Sequence, residues 1–177
     1  MKTSYQQMFE QIDRCEDLEE LRALREAQTG PALQNEFWDL RAQLFETSDP
    51  LEKERLIAKL RLLQQHIGCS IPLRRAVRRF RAPQGLWGII ISRSVELGNN
   101  CTLMPGVYLG SDAFPDSDRI GFPVIGSDVF IGAGAKVIGD VVIGDHVRIA
   151  PGCCVMESIP DNSIVTPGTP CVTASET

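Results

Sequence analysis

Histidine is scarce in this chain, and its cysteines lack the spacing of a metal site. Only two histidines, His66 and His146, occur among the 177 residues, whereas catalytic zinc sites usually draw several ligands from histidine. The cysteines at positions 15, 69, 101, 153, 154 and 171 contain no CxxC pair, which argues against a structural zinc site. We therefore expect no bound metal, and we expect Cys101 and Cys153 to be small buried residues.

Long apolar runs and an excess of basic residues are also absent. No segment approaches the roughly 20 apolar residues that a membrane-spanning helix requires, and Met1 to Arg14 contain no apolar run of signal-peptide length. The formal net charge is −5, which argues against general binding to nucleic acid or to an anionic membrane. These features predict a cytoplasmic protein that has neither nucleic acid nor a membrane as a partner.

The sequence is rich in a six-residue repeat of aliphatic residues. Its lead positions are all Ile, Leu or Val, and they fall at Ile91, Leu97, Leu103 and Leu109, then at Ile125, Ile131, Val137, Ile143, Ile149 and Val155. A small or branched apolar residue stands four positions after each lead residue. Period six fits neither a helix nor an ordinary strand, but it fits a solenoid of short strands and tight corners. The lead residues are predicted to fill a narrow prism.

The repeat divides the chain into three predicted parts. Residues 1–68 are predicted to be α-helical, with a last helix that Asp49 caps, that Pro50 begins and that Gly68 ends. Residues 69–165 are predicted to form the β-solenoid, and residues 166–177 a C-terminal tail. An insertion at about 111–124 breaks the repeat and must leave the prism as a loop, which we expect to contribute to a binding face.

Five arginines lie close together at the junction of the first two parts, at positions 74, 75, 78, 79 and 81. Pairing with the acidic helical region, or simple solvation, accounts for them. The guanidinium group also suits an anionic ligand such as a nucleotide phosphate. Nucleic acid is a further alternative, although no aromatic residues are interleaved with this Arg74–Arg81 cluster. The sequence leaves the role of the cluster open.

Several longer segments resemble the hexapeptide acyltransferases, and the serine acetyltransferases in particular. These segments are FPVIG (122–126), VFIGAGAKVIGDVVIGDHVRIAPGCCV (129–155) and SIPDNSIVTPGTP (158–170). The resemblance implies a mainly β protein, a left-handed parallel β-helix with an N-terminal α-helical region. It also implies a homotrimer, or a dimer of trimers joined through the N-terminal helices. The implied reaction moves an acetyl or acyl group from acyl-CoA to a small hydroxyl or amine acceptor.

The resemblance further implies that acetyl-CoA, as the co-substrate, lies in a groove beside the prism and is held through backbone contacts. The small residues that correspond to these contacts are Gly110, Ser111, Gly132, Ala133 and Ala150. Polar and basic residues that related sugar O-acetyltransferases carry near the end of the repeats are replaced here by Met156, Glu157 and Val172. A carboxylate at such a position is unfavourable for a CoA phosphate.

The catalytic histidine that the resemblance implies has no counterpart in this chain. In that family a histidine, oriented by a carboxylate, removes the proton from the acceptor hydroxyl. The histidine position falls on Gly85 in one alignment and on Ala82 in another, and the carboxylate position falls on Ser70. A second active-site histidine falls on Phe122. Glycine, alanine and phenylalanine cannot accept a proton.

Neither histidine of the chain is an obvious replacement. His146 is predicted at an outward corner of the solenoid, and His66 near a helix C-terminus, where a positive charge is favourable. Two functions therefore stay open: a serine-acetyltransferase-like acyltransferase without the family's base, and a catalytically inactive homologue that acts as an oligomeric binding or assembly scaffold. A hydratase of the gamma carbonic anhydrase type is disfavoured because its site needs three histidines.

Overall fold

The computed structural model describes residues 30–112 and 120–168. The predictions for residues 1–29, for residues 113–119 of the inserted loop and for residues 169–177 of the tail lie outside these ranges. Within the described ranges two helices come first, α1 (Gly30–Glu46) and α2 (Pro50–Ile67). They are followed by short strands: β1 (Ile90–Ile91), β2 (Glu96–Leu97), β3 (Thr102–Leu103), β4 (Tyr108–Gly110), β5 (Val124–Ile125), β6 (Phe130–Ile131), β7 (Lys136–Ile138), β8 (Val142–Ile143), β9 (Arg148–Ile149), β10 (Cys154–Val155) and β11 (Ile164–Val165).

The strands form three parallel sheets, which are the three faces of a prism. The first face contains β1, β4, β7 and β10, the second contains β2, β5 and β8, and the third contains β3, β6, β9 and β11. On the first face Ile91 stands opposite Leu109, and Leu109 stands opposite Val137. The chain therefore advances one face with each repeat and completes one coil with three. The predicted parallel β-helix is confirmed.

The interior of the prism is filled as the repeat predicts. Every lead residue is at most 4% exposed. The small residues four positions later, where the structure describes them, are buried as well, among them Cys101 and Cys153, while Ile159 is partly buried. Because complete burial of one aliphatic side chain contributes roughly 1.5 to 3 kcal/mol, this column of residues is the main source of stability in the β-helix.

One corner of the prism, between the second and third faces, is built from residues with left-handed backbone. Asn100, Asp128, His146 and Asn162 stack there in successive coils, with φ values between 56° and 59°. Asn, Asp and His are the non-glycine residues that adopt this conformation most readily. His146 is exposed at this corner, which confirms its predicted position.

The corner between the third and first faces uses glycine instead. Gly88, Gly106, Gly134 and Gly152 stack there with φ values between 67° and 74°. Each is the third residue of a four-residue turn, and the four turns span residues 86–89, 104–107, 132–135 and 150–153. We call this stack the glycine corner.

The helices dock on the start of the β-helix. Asp49 caps α2 by accepting a hydrogen bond from the Leu51 amide at 3.0 Å, and Gly68 ends it with a φ of 76°. The buried Arg41 of α1 donates hydrogen bonds to the carbonyls of Arg74 at 2.6 Å and Val77 at 2.5 Å. Burial lowers the pKa of Arg41 to about 10, so the side chain remains charged at neutral pH. Neither α1 nor α2 combines the length and hydrophobicity needed to cross a bilayer.

The segment after α2 forms an irregular first coil. Ser70, Val77 and Arg81 pair with one strand on each face in turn. The inward positions of this coil are Ile71, Val77 and Ala82, and none of these is more than 3% exposed. The junction is therefore part of the β-helix, and its arginines lie on the outside of the first coil.

Candidate functional site

Packing occupies both positions that correspond to the family's catalytic histidine. Ala82 is 3% exposed and takes the inward position of the third face in the first coil. Gly85 closes a turn in which its amide donates to the Ala82 carbonyl at 2.9 Å, and its φ is 83°. A Cβ atom at Gly85 would lie 3.2 Å from the Cα of Gly30, the first residue of α1. Glycine is therefore favoured at this position both by the backbone conformation and by the contact with α1.

The other two predicted positions also lack a proton acceptor of the expected kind. Ser70 is exposed and bridges to Ile90 on the first face. Phe122 is half-buried and packs against the core, two residues before β5. The Ser70 hydroxyl is thus the one polar side chain among the four positions.

The two histidines lie at separate places in the fold. His66 is in the last turn of α2, and His146 is at the corner between the second and third faces, on a different edge of the prism from the glycine corner. Within residues 30–112 and 120–168, no group of three His, Cys, Asp or Glu side chains is placed to hold a metal ion.

Three of the five predicted CoA-contact residues meet at the glycine corner. Gly132 lies directly above Ala150, because Ile131 pairs with Ile149. The amides of Gly132 and Ala150 are already used, since they donate to the carbonyls of Ile149 and Val165 at 2.8 and 2.9 Å. Ala133 is exposed, and its amide has no hydrogen-bond partner among the described residues. Ala133 is thus the residue of the three whose N–H is available to a ligand.

The turn around Ala133 differs from its neighbours in one respect. The Ala135 amide donates to the Gly132 carbonyl at 3.1 Å, and Gly134 has a φ of 67°, which is the pattern of a type II turn with Ala133 at its second position. In the coils before and after, the same position holds Pro105 and Pro151. Proline has no N–H, so the free donor occurs between two coils that lack one.

The remaining two predicted residues lie at the other end of the first face. Gly110 ends β4 and is buried, with the Tyr108 hydroxyl and the Ser92 Oγ so close that a Cβ would overlap them. Ser111 is half-buried beside it. The structure therefore separates Gly110 and Ser111 from the glycine corner by the width of the first face.

Sequence reasoning singled out Arg81 as part of the Arg74–Arg81 cluster, but it missed the other ionisable side chains on the outside of the faces that meet at the glycine corner. On the first face Tyr108, Lys136 and Cys154 occupy successive coils. On the third face Arg81 and Arg148 line a cavity of about 390 Å³ that also contains Phe130. Each of these residues comes directly before an inward residue of the repeat, as Arg148 comes before Ile149 and Arg81 before Ala82. This position in the repeat is the sequence signal by which they could have been found.

Two of the thiols are unsuited to nucleophilic chemistry. Burial raises the pKa of Cys69 to about 12 and also raises the pKa of Cys101. Both thiols are therefore protonated at neutral pH, and only the thiolate is a good nucleophile. Cys154 differs because it is exposed on the first face.

Comparison with known proteins finds similar sequences among the hexapeptide transferases and the serine acetyltransferases. Residues 122–156 match the family described as bacterial transferase hexapeptide (six repeats). The serine acetyltransferase of Bacillus subtilis (strain 168) is 38% identical over 88 residues, which cover 50% of this chain and 39% of that protein. The serine acetyltransferase of Helicobacter pylori (strain J99) is 37% identical over 76 residues, 43% of each chain. The chain thus matches less than half the length of these relatives.

Solved structures share the architecture at lower sequence identity. Serine acetyltransferase isoform 3 of Entamoeba histolytica superimposes with a TM-score of 0.59 at 21% identity, covering 98% of this chain and 60% of that one. The soybean serine acetyltransferase apoenzyme superimposes with a TM-score of 0.55 at 19% identity, covering 89% and 63%. The β-helix is left-handed, as predicted. Repeat, sequence identity and fold together identify the chain as a hexapeptide-repeat protein that is similar to the serine acetyltransferases.

Proposed function

We propose that the protein is a serine-acetyltransferase-like acyltransferase that binds acetyl-CoA along the glycine corner. The observation that carries this proposal is the amide of Ala133, which is exposed and has no hydrogen-bond partner within residues 30–112 and 120–168, and which lies within the hexapeptide match at residues 122–156. A backbone N–H on a rigid corner is preorganised to donate to an amide or thioester carbonyl, because its direction is fixed before the ligand arrives.

The third face supplies positive charge for the phosphates of the cofactor. Arg148 stands two residues before Ala150, and Arg81 lines the same cavity from the first coil; Asp128 also lines it, so the two arginines leave one net positive charge there. Arginine forms strong, directional hydrogen bonds with phosphate. We infer that these two side chains compensate for Glu157 and Val172, which stand where related enzymes place polar or basic residues.

In the proposed reaction a small hydroxyl or amine acceptor attacks the thioester carbonyl. A bond forms between the acceptor atom and the acyl carbon, the C–S bond breaks, and the proton of the acceptor leaves with the CoA thiol. Gly85 and Ala82 provide no general base, which lowers the rate by about 10²- to 10⁴-fold relative to an enzyme that has one. Positioning of the two reactants beside each other supplies the remaining acceleration.

A second function is favoured by the packing of Gly85 against Gly30. Because this contact fills the place of the catalytic group, the chain is also suited to act as an inactive homologue, an oligomeric binding or assembly scaffold. In either case we propose a cytoplasmic homotrimer, or a dimer of trimers joined through the N-terminal helices. The division into a helical region (1–68), a β-helix (69–165) and a tail (166–177) belongs to the same proposal.

Release of free CoA from acetyl-CoA separates the two functions. Purified protein is incubated with acetyl-CoA and a panel of small hydroxyl and amine acceptors, with a reaction lacking any acceptor as the control. The transferase is expected to raise the rate of CoA release at least about 10-fold with one acceptor class. The same rate with and without every acceptor would contradict the transferase and leave the scaffold.

A further inference from the structure

A second cavity lies between α2 and the first coil, and nothing in the proposed acyl transfer uses it. Its volume is about 510 Å³. The cavity opens at the corner between the first and second faces, whereas the glycine corner lies between the third and first faces. Ile71 and Ile91, each 2% exposed, contribute apolar surface, together with the partly buried Ile57 and Leu73.

Three arginines line the cavity beside this apolar surface. Arg61 reaches the cavity from α2, while Arg74 and Arg93 reach it from the β-helix. No Asp or Glu is among the described residues that line the cavity. Cations gathered around one space repel each other unless an anion lies between them, so the arrangement favours a multiply charged anionic ligand.

Hydrogen bonds hold the two sides of the cavity in register. The Gln64 Oε1 accepts from the Ile71 amide at 2.5 Å, which fixes α2 to the first coil. Arg61 and Gln64 are three residues apart and therefore neighbours on the same side of the helix. The Arg74 Nη1 donates to the Arg93 carbonyl at 2.8 Å, which orients that guanidinium beside Arg93. The Arg74 guanidinium is thus positioned without a ligand, beside two further arginines that line the same cavity.

We propose that this cavity binds a phosphorylated small molecule. Its phosphate takes hydrogen bonds from Arg61, Arg74 and Arg93, and its apolar part lies on Ile57 and Leu73. Guanidinium groups match phosphate oxygens in geometry and in charge. The Ser70 hydroxyl, which also lines the cavity, adds a neutral donor. This assignment divides the Arg74–Arg81 cluster, because Arg74 alone among its members belongs to the site.

Pyrophosphate is the probe that tests the site, in a thermal-shift titration of the full chain at constant ionic strength. Sodium acetate replaces pyrophosphate in the control, because it supplies a singly charged anion at the same screening. Pyrophosphate is expected to raise the melting temperature, since it binds the folded state. Arg61→Gln and Arg93→Gln are each expected to weaken its binding about 10-fold. Both side chains are exposed, so the fold is retained.

Two controls make the result specific. Arg78→Gln changes an exposed arginine of the cluster that does not line the cavity, and it is expected to bind pyrophosphate like the wild type. Arg148→Gln, which changes an exposed arginine of the cavity proposed for the cofactor phosphates, is also expected to leave this binding unchanged, which separates the two phosphate sites. An equal thermal shift in acetate would overturn the proposal, as would Arg61→Gln and Arg93→Gln variants that bind as tightly as Arg78→Gln.

Discussion

Gly98→Ala is expected to lower the free energy of unfolding by about 3 kcal/mol. The new Cβ would overlap the carbonyl oxygen of Gly126 and would lie 2.6 Å from its carbon and 2.9 Å from the Ser127 nitrogen. All three atoms are backbone of the next coil. That coil cannot move away without loss of the hydrogen bond from the Gly98 amide to the Ile125 carbonyl, which is 2.9 Å long.

Urea denaturation of Gly98→Ala and Gly168→Ala measures this effect. A Cβ at Gly168 would meet none of the described residues within 4 Å, and its backbone is not left-handed. We therefore expect Gly168→Ala to change the free energy of unfolding by less than about 0.5 kcal/mol. Equal stability of the two variants would show that the coils are not packed as tightly where Gly98 meets Gly126 as the structure indicates.

Gly85→His, which places a histidine at one of the two positions that the resemblance implies for the catalytic base, is expected to lower the free energy of unfolding by about 2 kcal/mol without creating a base. The left-handed φ of 83° costs a side-chain-bearing residue about 1 kcal/mol. The remainder comes from the contact with Gly30, which lies 3.2 Å from the position of the Cβ.

The matched control is Gly152→His at the glycine corner. Gly152 has a similar φ of 72°, but a Cβ there would meet nothing within 4 Å in the part of the chain that the structure describes. The difference between the two variants in urea denaturation therefore reports the contact with α1 alone. If Gly85→His were as stable as Gly152→His and also raised acceptor-dependent CoA release, the position would be able to hold a catalytic base after all.

The regular coils of the β-helix were predictable, because burial inside a narrow prism forces a period that the residues display directly. The first coil was not. Its inward residues Ile71, Val77 and Ala82 are spaced by six and then five, and Ile91 follows nine residues later. A period cannot be recognised from three uneven intervals, and the coil is fixed instead by bridges to β1, β2 and β3.

The functional surface was less predictable than the fold. The resemblance placed small residues at the glycine corner, but it did not show that the amides of Gly132 and Ala150 are already bonded while that of Ala133 is not. Outward residues such as Arg148 obey no hydrophobic period. The cavity around Arg61 and Arg93 forms because α2 packs against the first coil. This contact joins residues that are far apart in the sequence, so a repeat pattern does not predict it.

Binding of acetyl-CoA at the glycine corner is tested most directly by isothermal titration of the wild type and of Ala133→Pro. Proline removes the free N–H, and Pro105 and Pro151 show that the neighbouring turns accept it. We expect the wild type to bind acetyl-CoA and Ala133→Pro to bind it about 10-fold more weakly, with an unchanged melting temperature in the absence of ligand. No binding by the wild type at millimolar acetyl-CoA, or equal affinity of the two proteins, would contradict the proposed site.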